Sequence, residues 1–555
     1  MLALATLLVA VALVIPPVLA IVYSGFHDGI TLWEGTNTLD IYKTLLAEPI
    51  TYRAAANTAV FATASALLSV TLATVLGLII GRTDAVMRRV LFFAMIAGFA
   101  TPVIMQTMGW TLILGPSDSL LNAAIRGLFG PNAPAPGGYS MATAVFAQSV
   151  IVVPAMYFIV APGLANMDPY LEEAASMAGA RQSRILWRVT LPLAAPSLLA
   201  AALLSFVFAA EAFEVPALIA LPGKIPMLST DIFLKTQETP ADYSEAGAIA
   251  TILMVLVAVI LAFYQRVTLN SRRFAVVSGK GKATIPWNLG GWRWPVGLIG
   301  LVMATMVFLP TLTLLYTSFI RSYVPPSPAA FRTLTFEHYV NAFQHSQLLE
   351  AMWTSFLLGV TSGACVMFLT VIAGWVVVRR GKRAGRIIDQ VASLPLVIPA
   401  IVLSLAVLRV YIRFPILIYG TVWILVLAFV IHYLPIGMRF TVAGMVALHP
   451  ELEEAASMAG ASLPRIARRV LVPLLRISLV SGFLWIGLAS LQQLPLALFL
   501  GAAGTTVVPL EMWSLWQNGT LGDAAASAMV VVVAVLALVG VLYRVGGLRD
   551  VRTAY

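Results

Sequence analysis

Few side chains in this sequence could do chemistry, and most of those lie in apolar surroundings. Glu211 and Glu214 stand three apart in the run AAEAFEVPALIA, a spacing that puts both on one face of a helix. Two close carboxylates could help a cation or its chelate to pass, one of them with a raised pKa. The simpler reading is a solvated pair at the outer end of a membrane helix, where a carboxylate costs less than at the centre. His432 lies in an apolar stretch and reads as a hydrogen-bonded packing residue. Met105 and Met108 have helical spacing and read as core. The single Cys365 excludes a disulfide framework. No His, Cys, Asp and Glu cluster has metal-ligand spacing. Gly279-Lys280-Gly281-Lys282 runs into Ala283, where a phosphate-binding loop needs Ser or Thr for magnesium. We therefore expect no catalytic residue, no cofactor, no bound metal and no ATP hydrolysis by this chain.

The elements that must carry these residues are membrane helices. Of 555 residues, 60% are hydrophobic and only 10% charged, against about 25% charged in soluble domains. Twelve stretches lack Asp, Glu, Lys and Arg: 1–27, 54–81, 90–117, 127–167, 189–210, 246–265, 294–320, 351–378, 390–408, 414–438, 477–510 and 524–543. Each is near the roughly 20 apolar residues that cross a bilayer core. The net charge of +10 does not indicate nucleic acid, because its distribution is that of a membrane protein. If the first span leaves the cytoplasm and the rest alternate, only Lys43, Arg53, Arg126, Lys224, Lys235, Arg321, Arg332, Arg409 and Arg413 of the 34 basic residues fall elsewhere than cytoplasmic loops or their edges. This is the positive-inside bias. An even number of spans puts both termini in the cytoplasm.

The chain is also an internal repeat, which fixes its organisation. Leu171–Ala180 reads LEEAASMAGA, and Leu452–Ala461 repeats it 281 positions later. Gly77, Arg82 and Pro102 pair with Gly374, Arg379 and Pro399 at an offset of 297. The shift between offsets places extra residues in the first half, at the Gly/Pro-rich segment Gly115–Gly138. We expect a first half at 1–270 (core 53–267), a cytoplasmic linker at 271–293, and a second half at 294–555 (core 349–545). The first apolar run could pass for a signal peptide. It has no basic residue before it, and its partner lies mid-chain, so we expect it to be retained. Both halves run in the same orientation, a parallel repeat. Glu211 and Glu214 have Gln492 and Pro495 as counterparts, so a pathway there would be asymmetric.

Each half carries one long amphipathic loop on the cytoplasmic side, at 168–192 and 449–473. In the first, Asp168 suits an N-cap and Pro169 the first helical position. Glu172 and Glu173 lie in early turns favoured by the helix dipole, and Gly179 is placed to stop the helix in a left-handed cap. A second short helix would run to Pro192. The second loop repeats this with Pro450, Glu453, Glu454, Ala455, Ala456 and Gly460, with His449 at the cap. One such loop would be an ordinary surface helix; two identical copies suggest a docking element.

The spacing of Glu173-Ala174-Ala175, Gly179, Val189 and Leu191-Pro192, repeated in Glu454-Ala455-Ala456, Gly460, Val470 and Val472-Pro473, resembles the EAA loop of binding-protein-dependent ABC importer permeases. The resemblance covers both halves and departs only in Val for Ile and Val472 for Leu. It implies an all-α polytopic fold of about 12 transmembrane helices, two tandem six-helix halves of the type I importer (MetI-like) permease. It implies that Glu172, Glu173, Ala174, Ala175 and Gly179, with Glu453, Glu454, Ala455, Ala456 and Gly460, contact two copies of a separate homodimeric ABC ATPase. It implies also a solute-binding protein as partner and a bacterial inner membrane as location. A fused pair is most similar to the iron(III) permease branch, as is the segment VPLEMWSLWQNG at Val508–Gly519. Relatives of that branch move thiamine, aminoethylphosphonate or polyamines. Glu211, Glu214 and Gln492 are then candidate pathway or gate residues. An ion-coupled secondary transporter is the rival from another class, and it offers no reason for two identical cytoplasmic loops.

Overall fold

The computed structural model describes residues 2–29, 35–116, 119–165, 167, 169–270, 287–344, 347–379, 382–412, 418–502 and 504–545. Among them the regular elements are helices, and ten helices are long and apolar enough to cross a membrane: Ala3–Ser24, Pro49–Arg82, Met141–Ala165, Gln182–Ala210, Tyr243–Phe263, Gly290–Thr317, Leu348–Arg379, Val422–Val446, Leu463–Ser490 and Leu521–Leu538. The remaining two charge-free stretches are bent pairs. Arg88–Ala100 meets Val103–Leu114 at 104°, and Arg383–Val397 meets Ala400–Tyr411 at 105°. The cause is local. Pro102 and Pro399 each open the second helix, and each forces the residue before it, Thr101 or Ile398, into extended backbone. Counting each pair as one span gives twelve.

The chain divides into two compact units that do not follow the linear halves. One comprises Met1–Glu48, Asp231–Val255 and Ser346–Trp513; the other comprises Pro49–Thr230, Leu256–His345 and Ser514–Tyr555. In the second of these, Pro49–Arg82, Met141–Ala165 and Leu191–Ala210 pack on one another, and Arg293–Thr317 lies against Val103–Leu114 and Arg88–Ala100. In the first, the equivalent trio is Leu348–Arg379, Val422–Val446 and Val472–Ser490, with Leu2–Ser24 against Lys382–Ser393 and Ala400–Tyr411. Each repeated core is therefore flanked by the opening helix of the other sequence half.

Small residues make these contacts close, as expected where no hydrophobic force drives helices together in lipid. Ser69 and Ser205 share a buried 2.7 Å hydrogen bond. Gly359 and Gly487 bring two backbones together, a Cβ at Gly359 lying 3.0 Å from the Gly487 carbonyl oxygen. A Cβ at Gly109 would lie 2.4 Å from the Pro310 carbonyl oxygen, so only glycine admits Arg293–Thr317 there. The extra segment after Gly115 folds into the helix Leu120–Phe129, whose N-cap Ser119 accepts from the Asn122 amide. His432, on Val422–Val446, is half-buried and packs edge-on to Tyr433 at 4.9 Å; its Nδ1 has no hydrogen-bond partner among the described residues, so the residue packs without the bond expected there.

Replacing Gly109→Val should lower stability by about 1–3 kcal/mol, the usual cost of overpacking, read as a fall in melting temperature in nanodiscs. Gly81→Ala, where a Cβ meets nothing within 4 Å, should be neutral or slightly stabilising by comparison, since Ala is the better helix former.

Candidate coupling site

Both repeated loops fold into the same device. The first begins with the helix Pro169–Met177; Asp168, the expected cap, lies outside the described residues. Gly179 ends it with φ +82°. The Gly179 amide donates to the Ser176 carbonyl at 2.9 Å and the Ala180 amide to Ala175 at 3.0 Å, the paired bonds of a Schellman stop. In the second, Glu451–Met458 ends at Gly460, φ +79°, with matching bonds from Gly460 to Ser457 and Ala461 to Ala456. A Cβ would meet nothing within 4 Å at either glycine, so the requirement is conformational. His449 precedes that helix, its carbonyl accepting from the Leu452 amide at 3.3 Å and its imidazole lying 3.5 Å from Glu451.

The limb after each glycine differs from the expected separate short helix. Gln182–Ile185 continues through the π turn Leu186–Thr190 into Leu191–Ala210 as one span, Gln182–Ala210. Leu463–Ile466, the π turn Ala467–Leu471 and Val472–Ser490 do the same. Pro192 and Pro473 fall at the second position after each π turn. Proline there lacks an amide donor and crowds the preceding turn; the widened turn absorbs that misfit. Each loop thus runs without a break into a helix of membrane-crossing length.

The glutamates divide by position. Glu172 is buried and ion-paired with Arg82. It also accepts from Thr190 Oγ1 at 2.7 Å and Trp287 Nε1 at 3.1 Å. Arg82, the last residue of Pro49–Arg82 and 2% exposed, donates to the Leu164 carbonyl at 3.4 Å and lies 5.6 Å from the Trp287 ring centre. In the second copy Glu453 accepts from Arg379 Nε and Trp375 Nε1, both at 2.8 Å, and Arg379 donates to the Leu448 carbonyl at 2.9 Å. Around it Ile466, Leu471 and Leu475 form an apolar cluster that receives Ala456. Glu172 and Glu453 therefore face their own chain, and Ala175 and Ala456 are half-buried beside them. The outward surface is Glu173, Ala174, Met177, Ala178 and Gly179 in one copy, and Glu454, Ala455, Met458, Ala459 and Gly460 in the other. Met177 and Met458 are each 90% exposed.

Sequence reasoning missed the arginines and tryptophans. The signal was there for Arg82 and Arg379, which are repeat counterparts, but they read as topology charges.

The expected pair Glu211 and Glu214 does not share a helix face. The helix ends at Ala210, Glu211 is its C-cap, and a new helical turn starts at Glu214. Pro216 favours that restart because its missing amide is harmless in a first turn. Glu214 is buried and Glu211 partly exposed. Gln492 lies in the corresponding break, between Val472–Ser490 and Leu494–Leu500. Among the described residues no group of three or more His, Cys, Asp or Glu is arranged to hold a metal.

Two repeated bundles of membrane-length helices, each presenting one short, internally braced surface helix, define a multi-pass transport permease. The chain belongs to the family of binding-protein-dependent transport system inner membrane components, matched at residues 73–274 and 366–545. Both matched segments contain one arginine–glutamate pair and its short surface helix. Among relatives, the ferric transport system permease protein FbpB of Actinobacillus pleuropneumoniae is 24% identical over 400 residues, 71% of this chain and 57% of its own length. A Haemophilus influenzae protein assigned as ferric transport system permease FbpB 1 is 25% identical over 445 residues, covering 77% and 67%. A Salmonella paratyphi A protein assigned as 2-aminoethylphosphonate transport permease PhnV is 27% identical over 264 residues, 47% of this chain but 96% of its own length. The chain thus spans little more than half of the first of these relatives.

Arg82→Leu leaves a buried carboxylate without its partner and should cost about 3 kcal/mol or more. Arg379→Leu should cost less, because both members of its pair are 15% exposed, against 2% for Arg82 and 11% for Glu172. Thermal unfolding of the two variants checks the order, and Arg82→Leu with Glu172→Leu should recover part of the loss.

Proposed function

We propose that this chain is the membrane-spanning subunit of an ATP-driven importer, receiving solute from a binding protein and gripped at its two surface helices by two copies of a separate ATPase. The observation that carries this is the duplicated device: the same outward alanine, methionine and glycine surface, braced from behind by an arginine–glutamate pair that is buried in the first copy and half-buried in the second. A shallow small-residue surface suits insertion into a partner's groove. ATP-driven closure of the ATPases would displace the two helices. Because Glu172 is tied to the end of Pro49–Arg82 and the loop continues into Gln182–Ala210, that displacement passes to two membrane helices with little slack. The residues in contact would be Glu173, Ala174, Met177 and Gly179 with Glu454, Ala455, Met458 and Gly460; Glu172, Glu453, Ala175 and Ala456 would hold them in place.

In this reading both loops face the cytoplasm and both termini lie there. Each bent pair then counts as one crossing, since otherwise each half would cross five times and the two loops would open on opposite sides. The functional halves are 1–270 and 294–555, joined by 271–293. Glu211, Glu214 and Gln492, at helix breaks one helix length beyond each loop, are candidate gate residues. Iron(III) is the favoured cargo, supported by two relatives named for ferric transport. Aminoethylphosphonate is the second reading, supported by similarity to PhnV.

The test is Gly179→Val with Gly460→Val. A β-branched residue held at positive φ costs about 1–2 kcal/mol per site and reshapes the tip that would dock. We expect co-purification of the ATPase and ATP-driven uptake in proteoliposomes to fall at least about tenfold; unchanged association and uptake would contradict the docking role. Uptake with the binding protein loaded in turn with iron(III) and with aminoethylphosphonate decides the cargo.

A further inference from the structure

The two arginine–glutamate pairs are completed by indoles from unrelated places in the sequence. In the second copy the indole is Trp375, four residues before Arg379 on the same helix. At the repeat offset of 297 its counterpart is Leu78, so the first copy has no tryptophan there. The vacancy is filled by Trp287, which follows the segment joining the halves and whose Nε1 reaches Glu172 at 3.1 Å. Its backbone is fixed for the purpose. The Trp287 amide donates to the Arg82 carbonyl at 2.8 Å, and the Asp84 amide donates to the Trp287 carbonyl at 3.2 Å. Asp84 also accepts from the Leu289 amide at 2.9 Å and pairs with Arg293 at 3.2 Å. The stretch 287–293 is clamped along residues 82–86, directly behind the first docking helix.

We propose that Trp287 is a positioning residue for the first docking helix, the counterpart of Trp375 for the second, so that the chain entering the second half sets the readiness of the first half's ATPase contact. An indole N–H to a carboxylate already paired with guanidinium satisfies the remaining lone pairs of a desolvated charge. It also fixes the rotation of Pro169–Met177, since Glu172 is that helix's inward anchor. Arg82 pairs with the same carboxylate and sets its guanidinium over the Trp287 ring, a second contact that holds the same geometry. The consequence for transport rests on the reading of these helices as ATPase contacts; the positioning itself does not.

The test is amide hydrogen exchange of the full-length permease alone in nanodiscs. Trp287→Leu should speed exchange across 170–180 by about tenfold, the scale expected for losing a hydrogen bond to a charged group, and leave 451–461 unchanged. Adding Leu78→Trp, which places an indole four residues before Arg82 as Trp375 stands before Arg379, should restore slow exchange. Trp375→Leu should loosen 451–461 instead, with no relief from Leu78→Trp. If Trp287→Leu does not yield folded protein, Trp287→Phe, which loses only the N–H, should give a smaller rise in the same segment. Unchanged exchange at 170–180 in the folded Trp287 variant, or no restoration by Leu78→Trp, would overturn the proposal. In vesicles with the ATPase and loaded binding protein, stimulated ATP hydrolysis should fall severalfold with Trp287→Leu and recover with the double variant. Absence of any stimulation in the unaltered permease would count against the importer reading, while the exchange result would still judge Trp287.

Discussion

One contact organises this molecule: an inward-turned carboxylate on a short surface helix, held by an arginine at the end of a membrane-length helix. It occurs as Glu172 with Arg82 and as Glu453 with Arg379. Inside a low-dielectric environment such a pair is stable only when its geometry is good and its other lone pairs are used. The surrounding structure supplies that through Thr190 and Trp287 in one copy and Trp375 in the other. The surface helix is thereby fixed in rotation, and its small-residue face has one direction to point. The glycine stop that follows turns the chain back into a membrane helix through a π turn, so the surface element and the span behave as one piece.

The two copies reach the same geometry by different routes. The second buries Ala456 against Ile466, Leu471 and Leu475, and its indole comes from its own span. The first replaces Leu471 with Thr190, which bonds Glu172 directly, and borrows its indole from the other side of the sequence junction. The opening helices are exchanged in a similar way, since Leu2–Ser24 packs in the unit that contains the second core and Arg293–Thr317 in the unit that contains the first. A gene-length fusion of two halves would keep these exchanged parts at fixed stoichiometry.

Much of this was legible in the sequence because it is written in composition and repetition. Long charge-free runs mark membrane helices, and the duplicated LEEAASMAGA marks the surface helices with their stops at Gly179 and Gly460. The two bends were not legible from run length alone, which is blind to direction; the pairing of Pro102 with Pro399 held the clue. The helix break at Glu211 was hidden because AAEAFEVPALIA carries no Gly or Asn stop signal and Pro216 can equally begin a helix as kink one. The division of labour between neighbouring glutamates depends on rotation about the helix axis. That rotation is set by Arg82 and Arg379, 90 and 74 residues earlier in the chain than Glu172 and Glu453, and no local pattern encodes it.

The most direct measurement is photocrosslinking from the two exposed tips. Benzoylphenylalanine in place of Met177 or Met458, in proteoliposomes that also hold the ATPase and the loaded binding protein, should capture the ATPase subunit from either position, with a yield that changes on adding ATP. Uptake that proceeds normally in those same vesicles while neither position captures the ATPase would contradict the claim that these braced helices are where the motor takes hold.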